Sequence, residues 1–342
     1  MSSAISWQHR RRSIPRRGIS PWRRQSWYRY HVLWFVVLIV VVFTSLYAGN
    51  RPQQPLVTLR PYDVLNSNNG PSIRSRKDTN YRKIKLFSRA RRDRAGAAIL
   101  DMLMAHAFAY QEEVLYGGAC IESNHSVPYL TDQTKLIQML GLGEELPFAC
   151  PTDRHGMIRK REDYFVLDTD VFSKNWKMYI ESRMDIGERE TTKSPGDPLQ
   201  VNVHIRRGDV TPCSRSATEP QRYLPNAYYL ALIDDYVPKI AKGRPLNITI
   251  YSETHSYESW DVFRDRGYRL ALGTDVAQTW RSFLTADVLI LSKSSFSLVP
   301  AIFNPNVIIY TPFWHKPLPE WTVVPKSMVQ FHTKGMEDDC PK

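Results

Sequence analysis

The sequence predicts an α/β protein whose second half folds as a doubly wound parallel sheet, carried behind one apolar segment near the N-terminus. Three observations predict it. After residue 198, strand runs of four to six apolar residues alternate with helical stretches, the pattern of a parallel sheet covered by helices on both faces. Val32–Ala48 is a run of seventeen uncharged, mostly apolar residues. The charge is divided unevenly along the 342 residues: +8 in residues 1–30, +9 in 51–94, and −5 in 95–342, within a total of +12. With 42% hydrophobic residues, 23 Pro, 16 Gly and four Cys, the composition excludes a disordered chain, a collagen and a disulfide mini-protein. The mildly acidic globular part argues against a nucleic-acid partner, which needs positioned Lys and Arg on the folded domain.

The first thirty residues carry eight Arg and no acid, so they read as a cytosolic basic tail. Residues 31–49 read as a signal anchor: seventeen residues make a helix of about 26 Å, enough for a thin bilayer core. A cleaved signal peptide ending at Ala48 and Gly49 is the competing reading; the long Arg-rich leader and the length of the apolar run argue against it. Residues 50–93, with Pro52, Pro55, Pro61 and Pro71 and no apolar periodicity, read as a flexible stem.

Ala97–Leu115 has apolar residues at helical spacing and predicts a long helix, with Gly96 before it allowing a tight backbone approach. Leu136–Leu140 reads as a short helix and Tyr164–Asp168 as a strand. Beyond Pro195, Gly196 and Pro198 the expected strands are Leu199–Ile205, Asn247–Tyr251, Tyr268–Leu272, Val288–Leu291 and Val307–Tyr310. The helices between them are Ala227–Val237, Tyr257–Arg266, Val276–Thr285 and Leu298–Phe303.

All four cysteines (Cys120, Cys150, Cys213, Cys340) follow the anchor, where an oxidising lumen permits two disulfides in any of three pairings. The sequons at Asn124 and Asn247 agree with a luminal glycoprotein.

Ligands of such sheets bind beyond the carboxyl ends of the strands, and two motifs lie there. His204-Ile-Arg206-Arg207-Gly-Asp209 leaves the first strand of the second half, offering a fork of donors to a diphosphate. Ser292-Lys-Ser294-Ser295-Phe296-Ser297 joins a buried strand to a helix start, whose free N–H groups favour an anion.

The stretch VHIRRGDV, followed about eighty residues later by ADVLILSKSSFS, resembles the α1,2/α1,6/protein O-fucosyltransferase superfamily, and most closely its α1,2- and α1,6-type members. The resemblance implies a GT-B fold, with an acceptor-side Rossmann-like domain over 94–198 and a nucleotide-sugar domain over 199–342. It also implies a GDP-fucose donor, a glycan acceptor and inversion at the sugar carbon with no metal and no cofactor, while the layout of tail, anchor, stem and luminal part, shared by many Golgi glycosyltransferases, is that of a type II Golgi membrane protein. Carried over by position, Arg206 would bind the β-phosphate and stabilise departing GDP, Arg207 would support it, and Asp209 would hold the loop. His204 would lie near the nucleoside, Asp275 would read guanine, and Ser294, Ser295 and Phe296 would meet the diphosphate; Asp287 looks structural.

Two positions depart from the family pattern. Arg94-Ala-Gly96-Ala stands where many members have a Gly-Gly-x-Gly-Asn turn, and Ser214 stands where the α1,6-type enzymes have a glutamate base. Glu219, in the loop after the motif, is the expected replacement base.

Rival readings rest on other residues. Asp168-Thr-Asp170 after an apolar run fits a metal-dependent GT-A transferase. A catalytically silent, lectin-like or scaffolding module would retain the fold without the base. A dehydrogenase is excluded, since no G-x-G-x-x-G follows a strand. Phe313, Trp314 and Trp321 are candidates either for stacking on acceptor sugars or for core packing.

Overall fold

The computed structural model describes residues 85–122, 126–127, 129–150, 156–158, 160–186, 196–214, 218–336 and 340, all within one compact unit. Its first half contains β1 (Lys85–Arg89), α1 (Ala95–Gln111), β2 (Leu115–Ile121), α2 (Leu130–Met139), β3 (Phe148–Ala149), β4 (Gly156–Ile158), α3 (Arg161–Phe165) and α4 (Lys174–Glu181). The strands form a parallel sheet in the order β3-β2-β1-β4.

The second half runs β5 (Leu199–His204), α5 (Asn226–Ala241), β6 (Leu246–Ser252), α6 (Asp261–Arg264), β7 (Arg269–Leu272), α7 (Val276–Thr285), β8 (Val288–Ile290), α8 (Ser295–Phe303), β9 (Val307–Tyr310), β10 (Thr322–Val323) and α9 (Lys326–Thr333). Its six strands are all parallel, in the order β10-β9-β8-β5-β6-β7. The order reverses between β5 and β8, the switch point where parallel sheets open a crevice. The expected doubly wound sheet is present.

Burial explains the central strands. Val201, Val203 and Ile250 are inaccessible, and so are all three residues of β8, as befits strands covered on both faces. Asn202 is buried within β5, and its amide donates to the Ser282 carbonyl at 2.7 Å, so it is satisfied.

The halves share one core. Thirteen of the seventeen residues of α1 are buried, and its apolar side chains join those of α2, α7 and α8 in one cluster. Gly96 makes this possible: a Cβ there would lie 2.5 Å from both the Cα and the N of Phe296, so α1 meets the start of α8 backbone to backbone.

Three expectations are corrected. The stem does not extend to residue 93, because β1 lies within it: Leu86 and Ser88 point inward from a short basic segment, and β1 pairs with both β2 and β4. The long helix ends at Gln111, where Glu113 takes a positive φ of 54° and Leu115 begins β2. Tyr164–Asp168 is not a strand. Arg161 stacks over Phe165 four residues on, at 3.4 Å, and the Tyr164 hydroxyl donates to Asp101, contacts that a helical turn brings together.

Of the three cysteine pairings, the structure has Cys120–Cys150 and Cys213–Cys340. Asn247 lies on β6 with its side chain exposed toward Gln200, whose Oε1 accepts from it at 2.7 Å. The anchor segment and Asn124 lie outside the described residues; among those residues no helix is long and apolar enough to cross a membrane.

Candidate active site

The carboxyl ends of both sheets open into one cleft with a cavity volume of about 680 Å³. Residues that follow β1, β2 and β4 line one side, and residues that follow β5 to β9 line the other. His204, Arg206, Arg207, Asp209, Ser294, Ser295 and Phe296 all reach it.

His204 ends β5. Its Nδ1 is 2.7 Å from the Ser292 hydroxyl on the neighbouring strand end, and its ring packs against Phe283 and Phe296. Burial first, then the charges of Arg206, Arg94 and Arg207, lower its pKa to about 3, so the imidazole stays neutral. A neutral ring offers a hydrogen bond to a ligand without competing for phosphate charge.

Arg206, two residues beyond β5, lines the same cleft. Its guanidinium forks onto Asp209, Nη2 to Oδ2 at 2.6 Å and Nε to Oδ1 at 3.2 Å. Arg94, from the start of α1, reaches the same carboxylate at 3.1 Å and Glu253 at 2.5 Å. Burial alone would raise the Asp209 carboxyl, but hydrogen bonding to Arg206 and the charges of Arg206 and Arg94 hold it below the usual carboxylate range. Asp209 thus fixes two arginines from opposite sides of the cleft.

Arg207 borders the cleft but is held inward by its partners. Its side chain is fully buried and donates to Ser256, the Arg206 carbonyl, Asn226 and Glu258, while it stacks 4.4 Å from the Tyr223 ring. It props the motif from beneath rather than presenting a free fork to a ligand.

At the end of β8, the Ser294 hydroxyl caps α8 by accepting from the Phe296 N–H at 3.2 Å, which aims the first turn of the helix at the cleft. The Phe296 ring packs against His204, Trp280 and Phe283.

Four expected residues are not brought in. Glu219 is absent from the cleft lining and accepts from the Ser214 hydroxyl. Asp275 caps α7 through the Ala277 and Gln278 N–H groups and pairs with Lys135 at 2.8 Å; the Lys135 hydrogen bond keeps its pKa low, and it is outside the lining. Asp168 and Asp170, the metal-site alternative, follow a helix rather than a strand. Asp168 is bound to His315 and to the Lys316 N–H, and Asp170 to the Lys316 ammonium, so neither carboxylate is free for a cation. Asp287 is structural, accepting from the Gln200 N–H at 2.8 Å.

The cleft residues not assigned from the sequence include Arg94, Arg222, Glu253 and Lys293. Two carried a readable signal, since Glu253 directly follows β6 and Lys293 sits inside the second motif. Of the aromatic candidates, Trp314 lines the cleft and is 53% exposed, whereas Trp321 is buried in the core.

No family model matches the chain, and no curated protein sequence matches it. Among solved structures it is similar to E. coli heptosyltransferase WaaC with ADP-2-deoxy-2-fluoro heptose, at 11% identity over 75% of this chain and 98% of that one, with a TM-score of 0.35. E. coli ADP-heptose lps heptosyltransferase II is similar at 12% identity over 75% and 96%, with a TM-score of 0.33. A likeness of that size transfers neither donor nor acceptor.

Proposed function

We propose that the chain is an inverting, metal-independent glycosyltransferase of the GT-B type that moves fucose from GDP-fucose to a glycan hydroxyl. In this reading it works in the Golgi lumen, held by its N-terminal anchor. The observation that carries the proposal is the convergence of Arg206 and the start of α8 on one cleft at the β5/β8 switch point. Guanidinium charge and helix N–H groups there suit a diphosphate, and the cleft's cations supply the neutralisation that a metal gives elsewhere.

The chemistry follows from this arrangement. The acceptor oxygen attacks the anomeric carbon as the bond from that carbon to the β-phosphate oxygen breaks, and the electron pair leaves with GDP beside Arg206. The acceptor proton passes to Glu253, the cleft carboxylate at the end of β6, which replaces Glu219 in this role. Trp314, exposed on the rim, offers a face to an acceptor sugar.

Turnover of GDP-fucose by Arg206→Ala and Glu253→Gln tests the proposal. Both are expected to keep the fold; Arg206→Ala should lose about a hundredfold or more in kcat, as when an oxyanion donor is removed. Near-normal turnover by folded Arg206→Ala contradicts the assigned role.

A further inference from the structure

Most cations of the cleft already have a carboxylate. Arg91 pairs with Asp93, Arg94 and Arg206 with Asp209, Arg161 with Asp101, and Arg207 with Glu258. Arg222 and Lys293 line the same cavity and make no ion pair among the described residues. The two are neighbours: the Lys293 ammonium donates to the carbonyl of Gln221, the residue before Arg222, at 2.9 Å. Lys293 also immediately precedes Ser294, the cap of α8.

Both are held in place without being neutralised. The Arg222 guanidinium sits 4.5 Å from the centre of the Trp314 ring, and its buried Nε has no hydrogen-bond partner. Burial lowers the pKa of Lys293, and burial followed by the charge of Arg206 lowers that of Arg222. Three cations facing one space with two of them unpaired is unfavourable while the space holds only water. It becomes favourable when an anion of matching charge enters.

We propose that Arg222 and Lys293 form, with Arg206, a clamp for the two negative charges of a diphosphate. The cations come from three separate segments, the turn after β5, the short 3-10 helix Pro220–Arg222 and the β8–α8 turn, a spread that suits two linked phosphates better than one. Trp314 is a positioning residue in this account, because its ring presents the Arg222 guanidinium. The clamp deepens the proposed function and rests on it for the identity of the nucleotide, but what it recognises is a diphosphate, whether free or esterified.

Titration calorimetry of the full chain with inorganic pyrophosphate and with GDP tests the clamp in Lys293→Met, Arg222→Gln, Lys293→Arg, Trp314→Ala and Trp314→Phe. The methionine and glutamine variants keep the side-chain stems, so the folds should hold, and circular dichroism checks this. Lys293→Met and Arg222→Gln should each weaken pyrophosphate binding about tenfold or more. Lys293→Arg should retain most of the affinity, and Trp314→Phe should retain more than Trp314→Ala. A folded Lys293→Met or Arg222→Gln variant that binds pyrophosphate as tightly as the parent overturns the clamp, even if GDP-fucose turnover is intact. Pyrophosphate binding that depends on both residues, with no added affinity for GDP, supports the clamp and counts against the guanine nucleotide.

Discussion

Arg94 and Arg206 share the carboxylate of Asp209, Arg94 at 3.1 Å from the start of the first helix and Arg206 at 2.6 Å from the end of the first strand of the second sheet. One acidic side chain therefore couples the two walls of the cleft. Losing Arg94 should disturb the donor motif although Arg94 belongs to the other half.

Arg94→Ala is expected to raise the donor KM more than it lowers kcat. Because both side chains are partly exposed, a double-mutant cycle between Arg94→Ala and Asp209→Asn should give a coupling of at most about 1 kcal/mol. Denaturant midpoints of the four proteins measure it. Strict additivity would show that the contact does not couple the walls.

Arg206 and Arg207 should separate cleanly by stability. Arg207 is fully buried on Asn226 and Glu258, so Arg207→Ala strands buried partners and should cost about 2–4 kcal/mol. Arg206→Ala should leave the urea midpoint nearly unchanged while turnover falls. Equal destabilisation by both substitutions would refute the distinction.

Gly96→Ala tests the backbone contact between the halves. The added methyl meets the Phe296 backbone at 2.5 Å, which cannot swing away as a flexible side chain would, so α8 must shift. A loss of about 1–3 kcal/mol is expected, together with reduced activity, because the shift moves the helix start that lines the cleft. Unfolding curves and rates on one preparation read both effects.

Acid should destabilise the fold in a predictable window. Burial first, then nearby arginine charge, lowers His204 to about 3 and His106 to about 4, whereas both titrate near 6.5 when unfolded. The unfolded chain binds the extra protons, so this contribution is complete above about pH 6.5 and is lost as pH falls toward about 4 for His106 and about 3 for His204. At pH 5 each histidine should cost about 2 kcal/mol relative to pH 7. His204→Gln and His106→Gln should each flatten the stability profile between pH 4 and 6.5; an unchanged profile would mean the rings are not held neutral.

The second half was legible because its central strands are buried on both faces and bounded by turns: helix Val276–Thr285 and strand Val307–Tyr310 match the expectation residue for residue. The first sheet was not legible. Its strands are two to seven residues long, and LYGGACI owes its place to partners distant in sequence, including the Phe87 ring, which fills the space a Gly117 side chain would occupy. At the site, His204, Arg206 and Arg207 all line the cleft, but β5 ends at His204, so the inward hold on Arg207 comes from its partners Asn226 and Glu258 and not from strand alternation. Glu219 and Asp275 were misplaced for a different reason. A carboxylate near a helix start serves as readily to cap a turn or bind a neighbouring hydroxyl as to meet a ligand, and only the packed structure distinguishes the two. Arg94 carried no motif of its own; its role arises because α1 packs on α8.

The central claim is tested most directly by GDP release from the full chain in excess chelator, comparing GDP-fucose with GDP-mannose and UDP-sugars and offering a mixed glycan pool as acceptor. The account predicts release specific to GDP-fucose, dependent on acceptor, and abolished by Arg206→Ala. Release that disappears with chelator, or that proceeds equally from the other sugar nucleotides, would contradict it.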